Sequence, residues 1–590
     1  MLAPQPVSMP PASAGRQSAS HKSSTGRSTH GMPANTTSPT SSSNQVLLRA
    51  RDLLAQGLHS SAELLLAYLL STLAPPTSFT SSSSSSATAK HNWLYCQTAA
   101  YLADACAHSG QDQRALRLYD TAFHACPNTP RLSEEDRVFL FSIKEKQAGC
   151  HRKLGMHIEA IAAMERIEPG YRTVKASLAL AGWYEEAGRP NHARDAYFNV
   201  LLKEPLAIEA MMGAIRNGLE FDQLANYFPR ETYGQWMAQF VWCYFATRRH
   251  RYSEALAGLA ELHRQTPLNT DVMLAMADCH YKTGDHLKAH YQYRQIMKRD
   301  PDTIKQMDRY AFLLKMRGQR DMLDRHAATI LKRHPNQPET SLAMAAAKQM
   351  EGDLAMALRY VDTAVIQNPR YAEAWLMKGS LLLARGRLKD AIVAYRTALV
   401  HEETMQCYEG LVECYLLESR VEEAREQAKD VATKMSQLPK ARILVGAVLK
   451  ARGDPSSRRR ARVAFEEAYR MNPQCTEAVL TLVTAMEDDQ EWDRAIEILK
   501  EHTGYIQMAT LHSRLAEIHV RMRQYADAME QYNTALRIDS RYEPAVKGIK
   551  RLQRILGSAS ADGHELGESD EEEIEDGDID ELSNGGHDEY

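Results

Sequence analysis

The sequence predicts an all-α solenoid of stacked helical hairpins, and three periodic observations predict it. Twelve alanines recur along the chain, at Ala62, Ala115, Ala160, Ala193, Ala255, Ala289, Ala357, Ala391, Ala424, Ala461, Ala495 and Ala528. From Ala255 to Ala391 the step is a strict 34 residues, with Leu323 filling the one gap. Prolines keep the same beat at Pro267, Pro301, Pro335 and Pro369, and glycines keep it at Gly284, Gly318, Gly352 and Gly386. A fixed period of this size marks an array in which no unit can bury its apolar face alone and each stacks on the next.

The elements follow in order. Residues 1–44 are rich in Ser, Thr and Pro, with three basic residues and no acidic one, and are expected to be disordered. Residues 45–235 read as N-terminal repeats of uneven spacing. A Ser-rich loop insertion at 75–89 carries six consecutive serines, Ser81 to Ser86, and a degenerate unit falls around Ile208 to Gln235. Residues 236–542 read as regular 34-residue repeats. The clearest runs from Ala372 to Met405. Trp375, Gly379 and Leu382 share one face of a first helix, and Gly386 breaks it where a tight turn needs positive φ. Leu388, Ala391, Ile392, Tyr395, Ala398 and Leu399 then form the stripe of a second helix.

Small residues recur at the position of Gly379 (Ala103, Ala148, Ala181, Ala277, Ala311, Ala345, Ala516), which would let paired backbones approach closely. Rings recur at the position of Tyr395 (Tyr119, Tyr197, Tyr293, Phe465, Tyr532) and would wedge between hairpins. Helix–turn–helix units of 34 residues with this pattern are tetratricopeptide repeats. The expectation is a superhelix of about 12–13 hairpins between Val46 and Tyr542. A capping helix follows at 543–556, carrying Val546, Ile549, Leu552, Ile555 and Leu556. Residues 557–590 hold 14 Asp or Glu and no Lys or Arg, an acidic tail expected to be disordered. The net charge of −4 therefore hides a body of 71 basic and 61 acidic residues, or +10. In the tail, Ser569 precedes Asp570, Glu571 and Glu572, the context acid-directed kinases prefer, and is a candidate phosphosite.

Few residues suggest chemistry. No run of 18 apolar residues exists to span a membrane, and the nine cysteines form no CxxC pair, as expected for scattered buried thiols. His286 and His290 have the i, i+4 spacing of a zinc pair but lack the glutamate and third ligand, so no metal and no cofactor is expected. Phosphate-binding glycine loops and the G-x-S-x-G elbow are missing. Two basic clusters, Arg458, Arg459, Arg460 and Arg462, and Arg248, Arg249 and Arg251, fall at helix–helix turns and read as solvated rather than as a specific nucleic-acid site. First-helix residues should line the concave groove. Phe240, Tyr244, Asp278, Tyr281, Phe312 and Lys315 are the candidate contacts for an extended peptide there. The Lys and Asn that chaperone-binding repeats use to grip a terminal carboxylate are missing. The corresponding pairs read Leu274 with Asp278, Asp308 with Phe312, Leu342 with Ala346, Leu376 with Ser380 and Ser513 with Glu517.

Two segments carry a narrower resemblance. These are LLAQGLHSSAELLLAYLLSTL at Leu53 to Leu73, with its Gly57-Leu58-His59-Ser60 joint, and CYEGLVECYL at Cys407 to Leu416. Together with the layout of early loop insertion and acidic tail, they resemble the subunit 7 family of the anaphase-promoting complex, a cell-cycle ubiquitin ligase. The resemblance covers about Val46 to Leu556; the Ser-rich first 44 residues depart from it. It implies a non-catalytic scaffold that forms a homodimer through its N-terminal half. Its implied partners are other tetratricopeptide-repeat subunits and small accessory subunits, in nucleus and cytoplasm, while ring-finger and cullin subunits do the chemistry. The 34-residue beat alone equally suits an adaptor of another assembly, whether trafficking, ciliary or chaperone-linked. The repeat half of an enzyme is disfavoured, because repeats occupy the chain until the tail begins.

Overall fold

The computed structural model describes residues 39–73, 75, 86–126, 133–229, 231–505, 508–540 and 542–561. Residues 1–38, 76–85 and 562–590 lie outside the description. So do most of the N-terminal Ser/Thr/Pro segment, the middle of the Ser-rich insertion, and Ser569 with nearly all of the tail. Among the described residues there are 28 α-helices, one 3-10 helix and no strand. Contacts divide the chain into an N-terminal unit, residues 1–184, and a C-terminal unit, residues 185–590.

The N-terminal unit contains α1 (Pro39–Ala55), α2 (His59–Thr72), α3 (Ser86–His108), α4 (Asp112–Ala125), α5 (Glu134–Lys153) and α6 (His157–Glu165), while α7 (Val174–Glu186) crosses the division. The C-terminal unit continues with α8 (Pro190–Lys203), α9 (Ile208–Arg216), the 3-10 helix Phe221–Tyr227, α10 (Thr232–Arg248), α11 (Tyr252–Gln265), α12 (Thr270–Lys282) and α13 (His286–Arg299). Then come α14 (Met307–Met316), α15 (Arg320–Arg333), α16 (Pro338–Met350), α17 (Leu354–Gln367), α18 (Ala372–Ala384), α19 (Leu388–His401), α20 (Met405–Leu417) and α21 (Val421–Lys434). The last are α22 (Pro439–Ala451), α23 (Pro455–Met471), α24 (Thr476–Asp488), α25 (Trp492–Tyr505), α26 (Ala509–Arg521), α27 (Tyr525–Ile538) and α28 (Glu543–Ala561). In chain order these are four α-helix pairs, one degenerate pair, nine further α-helix pairs and the final α28. The chain is a tetratricopeptide-repeat protein.

The alanine beat is a packing beat. Eleven of the twelve alanines are wholly buried and Ala461 nearly so, with Leu323 equally buried in the gap. The six rings are buried as well. A Cβ added at Gly379 would meet the Tyr395 ring 2.7 Å away, and one at Gly410 would come closer still. The glycines thus make room for a ring rather than for a neighbouring backbone. Tyr395 is held between the first helix of its own hairpin and that of the next. Tyr197 against Gly213, Phe465 against Gly446 and Tyr532 against Gly548 repeat the arrangement.

Three boundaries differ from expectation. Helix α1 starts at Pro39, within the segment expected to be disordered, because Leu47 and Ala50 dock on the core containing Ala62 and Leu66 and the helix grows backward from them. A proline at the first helical position removes only a donor that no helix would use. Helix α28 runs five residues past Leu556, through the small residues Gly557 to Ala561. In the degenerate pair the second helix is replaced by the 3-10 turn. Only ten residues separate Gly218, at φ +87°, from Pro229, too few for a full helix, and Leu224 is buried instead.

Candidate functional site

In the C-terminal unit the first helices do more than line a groove. Arg309 on α14 reaches Asp278 on α12 and, at 2.9 Å, Glu373 on α18. Lys282 lies 2.6 Å from Glu402, which follows α19, and 3.1 Å from Asp278. Arg248 on α10 approaches Glu402 at 3.5 Å, and Arg309 at 3.8 Å. Nearby, Tyr371 donates to Asp308 at 2.8 Å. The Lys282–Glu402 contact spans 120 residues, joining hairpins that are not neighbours in the stack. Arg370 reaches Glu185 at 3.5 Å over a still longer separation. One apolar core accordingly takes in Cys243, Tyr252, Val272 and Cys279 together with Tyr395, Met405, Tyr415 and Leu444.

These charges sit in low dielectric and depend on one another. Burial alone would push the Glu402 carboxyl up, but Lys282, Arg309 and Arg248 together hold it well below the usual carboxylate range. Burial, aided by the neighbouring Glu373 charge, pushes Asp308 well above that range. Removing one member of such a set leaves an uncompensated buried charge. The crevice between Tyr252, Tyr281, Lys282, Glu373, Gln406 and Lys440 holds only about 30 Å³, room for water and not for a side chain.

The six groove candidates fall into two groups. Asp278, Tyr281, Phe312 and Lys315 are brought together. Tyr281 is 4% exposed, its ring 6.1 Å from Phe312 and 5.7 Å from the Arg309 guanidinium, and Lys315 sits 5.3 Å over Phe312. Burial pushes the Lys315 amine down to about 8. Asp278 and Tyr281 are thus engaged within the fold rather than presented to an open groove, because the far hairpins cover them. Phe240 and Tyr244 lie apart on α10. Phe240 stacks on Trp236 at 5.5 Å, and Tyr244 lies beside the Arg216 guanidinium.

Other candidate chemistry is absorbed by packing. His286 lies 6.2 Å from Tyr281 and His290 5.5 Å from Tyr310, burial lowers both imidazoles, and no metal-holding cluster exists among the described residues. Arg248, Arg249 and Arg251 pair with Glu402, Glu220 and Glu254. Burial pushes the Cys407 and Cys414 thiols up to about 12, where no thiolate is available. No helix among the described residues is long and apolar enough to cross a membrane.

Tetratricopeptide-repeat family models match residues 342–406 and 509–542. Anaphase-promoting complex subunit 7 of Homo sapiens is 24% identical over 542 residues, covering 86% of this chain and 92% of that protein. The protein of that name in Arabidopsis thaliana is 26% identical over 541 residues, covering 86% and 94%. Along most of its length the chain is thus similar to anaphase-promoting complex subunit 7 proteins. A crystal structure titled APC/C hetero-tetramer Cut9-Hcn1 shares the fold, with a TM-score of 0.54 at 16% identity over 86% of this chain and 96% of that one.

The residues missed in the sequence are Lys282, Arg309, Glu373 and Glu402. The first two left a trace. Arg309 stands where neighbouring repeats place Ala275, Ala343 and Met377, and Lys282 where they place Met316, Met350 and Ala384. A charge in a slot that other repeats keep apolar signals a partner, though not which one.

Proposed function

We propose that the chain serves as a non-catalytic scaffold subunit of an anaphase-promoting complex, acting through protein–protein contacts of its stacked repeats. The observation that carries this is similarity to subunit 7 proteins along 86% of the chain, with those proteins covered almost end to end. Helical hairpins occupy nearly all of that length, and their polar clusters knit hairpins together rather than converge on an open pocket. Tagged full-length chain, purified from its own cells, is expected to co-elute with the ring-finger and cullin subunits of the ligase. Recovery of a different assembly without them overturns the reading.

The homodimer belongs to the same proposal, with the N-terminal repeats as its site. Leu48 and Leu58 are at least half exposed in the first hairpin, Leu64 is 75% exposed and Tyr68 63%. Leu64 and Tyr68, one turn apart on α2, form an apolar face with nothing described against it. Light scattering of full-length Leu64→Glu/Tyr68→Glu against the parent chain should show a halved mass. A parent that is already monomeric at micromolar concentration removes the dimer. Phe240 with Trp236, and Phe312 with Lys315, are the proposed peptide contacts, and residence in both nucleus and cytoplasm is part of the reading. Imaging of the tagged chain tests the last point.

A further inference from the structure

Arg458, Arg459 and Arg460 are consecutive, exposed and set in the first two turns of α23. Cations there oppose the helix macrodipole, and α23 has no acidic residue in its first turn to offset them. Elsewhere in this unit an arginine at the start of a second helix meets an acid three residues on: Arg251 with Glu254, Arg387 with Asp390, Arg420 with Glu423. Three and four residues beyond the triplet stand only Ala461, Arg462, Val463 and Ala464. The nearby carboxylates are already committed. Asp454 caps α23 through Ser457 at 2.9 Å and meets Arg452, Asp488 pairs with Lys450, and Asp489 and Glu491 pair with Arg462. Glu466 pairs with Arg462 and Arg470, and Glu467 with Arg442. Among the described residues no carboxylate pairs with the triplet, which leaves three positive charges on one exposed surface.

We propose that this surface docks the chain's own acidic segment, centred on Asp570 to Glu575. Helix α28 packs on α26 and α27 in the place of a first helix, so its end at Ala561 lies where first helices give way to second ones. The start of α23 lies on that same edge. Three helix-to-helix steps of about 10 Å separate α28 from α22, roughly 30 Å in all. Asp570 and Glu575 follow Ala561 by 9 and 14 residues, a reach of up to about 30 to 50 Å. The segment beyond Ala561 offers 14 carboxylates and no cation of its own to compete. Phosphate on Ser569 would add about −1.5 to −2 charge beside Asp570 and tighten the contact. The docked tail screens the triplet from other polyanions, whichever assembly the chain joins.

Cleavage of the tail by a Glu-specific protease, followed by mass spectrometry on native full-length protein, tests this. In the parent chain, cleavage at Glu571 to Glu575 should be several-fold slower at low than at high salt. Arg458→Ala/Arg459→Ala/Arg460→Ala should be cleaved at the fast rate in both. On a heparin column, Asp570→Asn/Glu571→Gln/Glu572→Gln/Glu573→Gln should elute at higher salt than the parent. Adding the triple arginine change should cancel that shift. Two results overturn the proposal: equal cleavage of the parent and the triple variant, or equal acceleration by the charge-matched Arg325→Ala/Arg359→Ala/Arg385→Ala, which would reduce the effect to net charge.

Discussion

Tyr395 shows how much one residue decides in a repeat. Its ring is 3% exposed and presses on helix backbones from two hairpins at Gly379 and Gly410. A methyl at either glycine needs space the ring already fills, and overpacking of this kind costs roughly 1–3 kcal/mol. Gly379→Ala and Gly410→Ala are each expected to lower the urea midpoint without changing the slope. Gly182, in the interior of α7, has open space around its Cβ. Gly182→Ala there should instead stabilise by up to about 1 kcal/mol through helix propensity. Equal destabilisation of all three would mean that backbone freedom rather than ring packing sets the glycines. The positions of Gly379 and Tyr395 were legible from the period, but not that the glycine makes room for the ring rather than for a backbone. That of Gly410 was hidden, because what it accommodates belongs to the preceding hairpin.

At the scale of the element, the turn between paired helices needs one residue at positive φ. Gly284, Gly318, Gly352 and Gly386 supply it in the regular repeats, at +82°, +62°, +84° and +71°. Where the beat slips, Ser419 and Gln490 adopt φ of +58° and +60° at the equivalent place. A side chain in that region costs roughly 1–2 kcal/mol, partly recovered by the lower entropy of its unfolded chain. Ser419→Gly and Gln490→Gly are therefore expected to raise stability by about 0.5–1 kcal/mol each, and Gly386→Ala to lower it by a similar amount. Thermal melts of the three variants check the sign, and a loss in the first two would place the strain elsewhere.

Across the whole C-terminal unit, the charge cluster breaks the nearest-neighbour rule of solenoids. Arg309→Ala strands Glu373, leaves Asp278 to Lys282 alone and weakens the hold on Glu402, so a loss of about 3–5 kcal/mol is expected. Hydrogen exchange should rise in α12 and around Glu402 together, although they are three hairpins apart. A rise confined to α14 and its neighbours would show that the cluster does not couple them. Acid should have the same effect reversibly. Glu402 is held below its ordinary range, so its contribution is fully present above the unfolded-state value of about 4.5 and fades as pH falls below it. Glu403, held at about 2 by His250 at 4.0 Å and by Lys434 at 2.6 Å, fades between about pH 4.5 and 2. Asp308, whose carboxyl is raised, works in the opposite sense and gains on acidification. Glu402→Gln should therefore be less stable than the parent at pH 7 and lose less between pH 6 and 3. Parallel curves for the two proteins would exclude Glu402 as the titrating group.

The sequence by itself determined the hairpin, its spacing and where its small residues fall, because these depend on residues at most one period apart. The same 34-residue frame exposes a local pattern many times over, and each copy packs against the next by the same rule. Only the tertiary structure decided that Asp278 and Tyr281 are covered, and that Lys282 reaches Glu402. That outcome depends on the small rotation between successive hairpins, which accumulates over four of them. No single repeat encodes that sum. A charge in an apolar slot, such as Arg309, announces that some distant partner exists; the curl of the stack selects which carboxylate it is.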